Sequence, residues 1–139
     1  MTLPPVAQLL PHAPPMRLVD GVSRFEGAHI ECTVTLQPSC PFADASGVVD
    51  PMVLVELVAQ AAAAWAALSG GGPQRPGVVA SCREAHFEEA GPLRVGDALI
   101  VRAERTAGTA DFGSFVGTVV REAVPVATIS LGVVLGGTS

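Results

Sequence analysis

The sequence predicts an α+β fold, an antiparallel sheet wrapped around one long central helix. Residues 49–68, "VDPMVLVELVAQAAAAWAAL", are almost all Ala, Val and Leu, so a helix here has no polar side to turn to water and must be covered all round. Segments of strand character lie on both sides of it, two before and four after, which is enough sheet to wrap it. The 139 residues are the length of one ordinary domain and too few for two independent cores, so 1–139 reads as a single unit.

The first sixteen residues hold five of the twelve prolines, and they predict a short turn or helix over 6–10 followed by a rigid loop, "LPHAPPM". "HIECTVTL" alternates, with Ile30, Cys32, Val34 and Leu36 on one face and His29, Glu31, Thr33 and Thr35 on the other, the pattern of a half-buried strand. "MRLVDGV" before it is the predicted hairpin partner. A loop rich in Pro, Gly and Asp covers 37–50. Asp50 then supplies a helix N-cap and Pro51 the first helical position. The helix stops at "SGGGPQRP", whose three glycines and two prolines cannot continue it. Strand character returns over 77–88, 98–106, 112–121 and 124–135.

Composition excludes several classes. A chain that is 49% hydrophobic and 15% charged is not disordered, and part of its apolar surface is expected to be covered by another subunit. With a net charge of −5 and no run of basic residues, nucleic acid is not an expected partner. Every positive side chain is an arginine, which removes Schiff-base chemistry and the phosphate-loop lysine together. Cys32, Cys40 and Cys82 are widely spaced without a CxxC pair and read as buried, inert thiols of a reduced, cytoplasmic protein. "MTLPPVAQLL" lacks the charged start and long apolar stretch of a signal peptide. The 17 residues from Met52 to Leu68 fall short of a comfortable membrane span and contain an acid, so a buried helix of a soluble domain is expected, with no membrane partner. His12, His29 and His86 form no HxH or HExxH pattern, which predicts no metal site. His29 reads as solvated, His86 is ambiguous by alternation, and Trp65 reads as packing.

The helix carries one carboxylic acid, Glu56, and one carboxamide, Gln60, four positions later. Residues at that spacing share a helix face. A carboxylate in apolar surroundings is costly unless paired, and its pKa tends to rise, so a group in such a place can give or take a proton near neutrality. The alternative is a structural ion pair between Glu56 and an arginine at a subunit interface, Arg17 or Arg83. Gln60 reads chiefly as a structural residue that bonds a backbone group and holds Glu56. Free N–H groups at the helix start, near Pro51, Met52 and Val53, are expected to bind a developing oxyanion.

Two motifs together resemble the β-hydroxyacyl acyl-carrier-protein dehydratases, enzymes of the hot-dog fold. "LPHAPPMRLVDGV" (10–22) is similar to that family's "LPHRxPFLLVDRV" pattern, and "PMVLVELVAQ" to its "PGVLxxEAxAQ" helix with the Glu-x-x-x-Gln spacing intact. "PLRVGDALIV" is a weaker match to a "PGD" turn. The family's "GHFPG" loop before the helix is here "CPFADASG", without a histidine. The pair "LPHAPPM" and "PFADASGVVDP" looks more like a branch of small dehydratases from aryl-polyene biosynthesis.

The resemblance implies dehydration of a 3-hydroxyacyl thioester, carried on the phosphopantetheine of an acyl carrier protein, to the trans-2-enoyl thioester, with no cofactor or metal. It implies Glu56 as the acid and His12 as the group that takes the C2 proton. His12 could instead cap its loop, and Asp44 is either a second acid–base group near the substrate or a turn former. The resemblance further implies protomers paired helix to helix, as a homodimer or as a heterodimer with another hot-dog dehydratase in which this chain could be the weaker or non-catalytic half. Hot-dog thioesterases, which also carry an acid on the central helix, are the rival enzymatic reading.

Overall fold

Alternating apolar residues build one antiparallel sheet. The computed structural model describes residues 3–10, 14–70, 78–109 and 112–134. Strands β1 (Gly21–Glu26), β2 (His29–Thr35), β4 (Val78–Phe87), β6 (Ala98–Gly108), β7 (Phe112–Arg121) and β8 (Val124–Val134) pair in the order β1-β2-β6-β7-β8-β4. Two short strands, β3 (Val48–Val49) and β5 (Leu93–Arg94), pair separately with each other. The predicted alternation of β2 holds: Ile30, Cys32 and Val34 are buried, and Cys32 lies opposite Val101 of β6.

Helix α1 (Val53–Gly70) lies against the inner face of this sheet. Inward residues of the strands, among them Leu99, Val101, Phe115, Val119, Ile129 and Leu131, close over it in one continuous apolar cluster. Close approach depends on Gly117 of β7, where a Cβ would stand 2.6 Å and 2.7 Å from the two methyls of Val58. The 18 residues of α1 are long and apolar enough to cross a membrane by length and composition, one residue more than the sequence reading allowed. More than half of the helix is nevertheless inside the protein, as the core helix of a soluble hot-dog domain would be.

The structure shifts several predicted boundaries. The hairpin partner of β2 covers Gly21–Glu26 rather than residues 16–22, because the chain turns tightly at Gly27, whose φ is +58°, and Glu26 faces His29. Residues 18–20 still run alongside β2, with the Asp20 N–H donating to the Thr33 carbonyl at 2.9 Å. Strands β3 and β5 arise within segments read as loops; at two residues each, neither has enough alternation to register in sequence. The three cysteines divide. Cys32 and Cys40 are buried as expected, but Cys82 is exposed, on β4, which forms an edge of the sheet among the described residues and whose residues 81–87 nothing in the single chain covers.

Candidate active site

The acid and the amide of α1 meet as their spacing dictates. Gln60 Nε2 donates to Glu56 Oε1 at 3.1 Å across one helical turn. Gln60 is wholly inaccessible, and it is the one buried polar side chain among the described residues. Its remaining capacity goes to the segment after the proline-rich loop: Oε1 accepts from the N–H groups of Leu18 at 2.9 Å and Val19 at 3.3 Å, and Nε2 also donates to the Met16 carbonyl at 2.7 Å. Both donors and both acceptor positions of the carboxamide are therefore used, which leaves no cost for burying it. These bonds fix the segment 16–19 beside the face of α1 that carries Glu56.

Glu56 is half-buried rather than sealed from water. Val55, Ala59, Ala63 and Ala66, at helical spacing beside it, are also only partly covered, so one face of α1 stays open in the single chain. Within the chain neither Arg17 nor Arg83 pairs with Glu56; the Arg83 guanidinium instead lies 5.9 Å from the ring centre of Phe112. His12 lies outside the described residues.

The helix start departs from expectation. Asp50 Oδ1 accepts from the Met52 N–H at 2.9 Å and the Asp50 carbonyl from the Val53 N–H at 3.0 Å, while Pro51 has no N–H to offer. The N–H groups expected to stay open for an oxyanion at Pro51, Met52 and Val53 are thus taken by the residue that caps the helix. Pro51 and Met52 form a turn ahead of the helix proper, and the Met52 side chain is 53% exposed. Asp44 proves to be the turn former. Its Oδ1 accepts from the Ser46 hydroxyl at 2.7 Å and from the N–H groups of Ser46 at 2.9 Å and Val48 at 3.0 Å. The Ser46 hydroxyl first, and the Val48 N–H next, hold its carboxyl below the usual value.

The other histidines sit apart from this site. His29 pairs with Glu104 at 3.1 Å and His86 with Glu88 at 3.0 Å, both with side chains 66% exposed. Trp65 packs, its ring 5.7 Å from Phe115 edge-on and its Nε1–H donating to the Gly27 carbonyl at 2.9 Å. Among the described residues no group of three or more His, Cys, Asp or Glu side chains is placed to hold a metal ion. Gln60 bonds a backbone segment and holds Glu56 as the sequence reading had it, though that reading did not name Met16, Leu18 and Val19 as the segment. The only signal was an amide where an aliphatic residue would serve packing better.

A sheet curled over one apolar helix defines a hot-dog protein, here with a carboxyl on the core helix held by an amide one turn on. The chain belongs to the ApeP-like family, described as ApeP dehydratase, which matches residues 4–136; it is a dehydratase, a hydro-lyase by reaction class. Among solved structures it is similar to the dehydratase heterocomplex ApeI:P from Xenorhabdus doucetiae, at 22% identity over 99% of this chain and 94% of that chain, with a TM-score of 0.88. The fold is shared more distantly with the PaaI protein of the phenylacetic acid degradation operon from E. coli, at 16% identity over 82% and 81% of the chains and a TM-score of 0.64. A hypothetical thioesterase with coenzyme A from Streptococcus pneumoniae has 14% identity over 85% and 87%, with a TM-score of 0.63. Among curated protein sequences none matches.

Proposed function

We propose that the protein dehydrates a 3-hydroxyacyl thioester on the phosphopantetheine of an acyl carrier protein, giving the trans-2-enoyl thioester and water. The observation that carries this is the Glu56–Gln60 contact, an acid held on the apolar core helix by a buried amide. Glu56 protonates the departing C3 hydroxyl, His12 takes the C2 proton, and the electron pair of that C–H bond becomes the new double bond. The thioester carbonyl acidifies C2 and hydroxyl departs as water, so the reaction needs neither a redox cofactor nor a metal. Pro51 and Met52 remain as an apolar wall at the helix start. The thioester oxygen must find its donors elsewhere, because Asp50 occupies the N–H groups of Met52 and Val53.

The reading includes a partner subunit and a cytoplasmic setting, where carrier-bound acyl groups are elaborated. Among the described residues strand β4 pairs only with β8, and its residues 81–87 are exposed, with Phe87 at 40%. A ten-residue unpaired edge beside a half-open helix face is surface that a second hot-dog chain would cover. The loop 37–50 lacks a histidine, which favours a heterodimer with a dehydratase that has one; the similar Xenorhabdus complex is itself a heterocomplex.

The test is incubation with 3-hydroxyacyl carrier protein, with the chain alone and together with a dehydratase partner, and mass spectrometry of the product. Loss of water is expected, and Glu56→Gln lowers the rate by about 10²–10⁴-fold. An unchanged rate in that variant removes Glu56 from the mechanism. Release of free thiol in place of water would mean hydrolysis.

A further inference from the structure

We propose that Arg17 recognises the phosphate of the arm that delivers the thioester, an assignment that rests on the dehydratase reading above. The arginines among the described residues divide by what their guanidinium groups touch. Arg24 pairs with Glu26, Arg102 with Glu31 and Arg121 with Asp97. Arg105 donates to the Thr109 and Phe112 carbonyls and lies over Trp65, and Arg83 lies against Phe112. Arg17 and Arg94 make no side-chain ion pair, hydrogen bond or ring contact among the described residues; Arg94 is exposed, whereas Arg17 is half-buried. A half-buried arginine left unpaired on a chain of net charge −5, with thirteen acidic side chains available, is a cation kept open for an outside anion.

Its location gives that anion a role. Arg17 stands between Met16 and Leu18, and both backbones are bonded to Gln60, the residue that holds Glu56. The guanidinium is thus rooted in the segment that the buried amide fixes beside the acid. It lines a cleft of about 240 Å³ together with the polar residues Thr35, Gln37 and Ser39, and with Pro14 and Pro15 on the apolar side. One carboxylate, Asp20, also lines the cleft. Its Oδ2 accepts from the Thr35 N–H at 2.6 Å, and it forms no ion pair with Arg17. Gln37 Nε2 donates to the Thr35 carbonyl at 3.3 Å. A planar guanidinium in a cleft lined by the hydroxyl residues Thr35 and Ser39 suits a phosphate, which it can grip through two parallel hydrogen bonds, whereas the apolar side of the cleft suits the carbons next to it.

Phosphopantetheine on a carrier protein and coenzyme A both present such a phosphate on the same arm. The experiment compares wild type, Arg17→Ala and Arg17→Lys on three 3-hydroxyacyl thioesters: the carrier-protein conjugate, the coenzyme A conjugate, and the pantetheine conjugate, which lacks the phosphate. For Arg17→Ala, KM is expected to rise about tenfold or more on both phosphorylated substrates, with kcat changed less than about threefold and pantetheine kinetics unaltered; Arg17→Lys recovers part of the loss. Equal effects on all three substrates would overturn the assignment. So would a loss confined to the carrier-protein conjugate, which would place Arg17 against acidic side chains of the carrier. Binding of 4′-phosphopantetheine and of pantetheine to wild type and Arg17→Ala, followed by calorimetry, answers the same question without turnover. If wild type dehydrates nothing, the reaction reading fails while preferential, Arg17-dependent binding of the phosphorylated arm still upholds the site. If binding shows no such preference, Arg17 is not the phosphate residue whatever the enzyme does.

Discussion

Gln60 reaches two ways from one carboxamide: it donates to Glu56 Oε1 at 3.1 Å on its own helix, and it accepts from the Leu18 N–H at 2.9 Å on a segment forty-two residues earlier. Gln60→Ala leaves the Leu18 and Val19 N–H groups and the Met16 carbonyl without partners in a dry place. Stability is expected to fall by about 2–4 kcal/mol, read from urea unfolding. Activity should fall beyond what the unfolded fraction explains, in kcat more than in KM, because Glu56 loses the group that aims it. Unchanged stability would mean that water enters and replaces the amide.

The contact of Gly117 with Val58 sets how near the helix lies to β7. Gly117→Ala puts a methyl inside 3 Å of a β-branched side chain that has little freedom to turn away. A cost of about 1–3 kcal/mol is expected. The double variant with Val58→Ala should be more stable than the sum of the single changes predicts, which a thermal or urea denaturation series measures.

Thiol chemistry separates the edge of the sheet from its core. Burial first, and the Glu31 charge second, push the Cys32 thiol up to about 12, and Cys40 is buried as well. A thiol reagent at neutral pH should therefore modify Cys82 rapidly in the folded single chain and the other two only on unfolding. If β4 is the edge that a partner covers, Cys82 becomes protected when the partner is added. Persistent rapid labelling in the complex would locate the interface elsewhere.

Acid should weaken the fold through two carboxylates. The hydrogen bond from Arg102 first, and that from Ser23 next, hold Glu31 below its ordinary 4.5, and loop donors hold Asp44 below 3.8. A depressed folded-state pKa stabilises the protein above the unfolded-state value, and that contribution is lost as pH falls through the folded-state pKa. The denaturation midpoint should therefore decline as pH drops below about 4.5, and the slope should be shallower in Glu31→Gln and in Asp44→Asn. An identical slope in both variants would assign acid sensitivity to other groups.

Much of this molecule was legible from local pattern. The two-residue period of "HIECTVTL" and the unbroken apolar run of 49–68 can each be satisfied by only one kind of element, so β2, α1 and the four later strands follow from the sequence, as does the fold that wraps one around the other. The four-residue spacing of Glu56 and Gln60 put them on one face, since that geometry is internal to a helix. Other features depended on which surfaces meet. That Asp50 would take the N–H groups at the helix start, that Asp44 would close its own loop, that Cys82 would sit on an open edge, and that Gln60 would grip Met16, Leu18 and Val19 are matters of three-dimensional neighbourhood. Hydrogen-bond partners far apart in sequence leave no period behind them. A polar side chain's type therefore announces that it must be satisfied, and only the packed structure decides by whom.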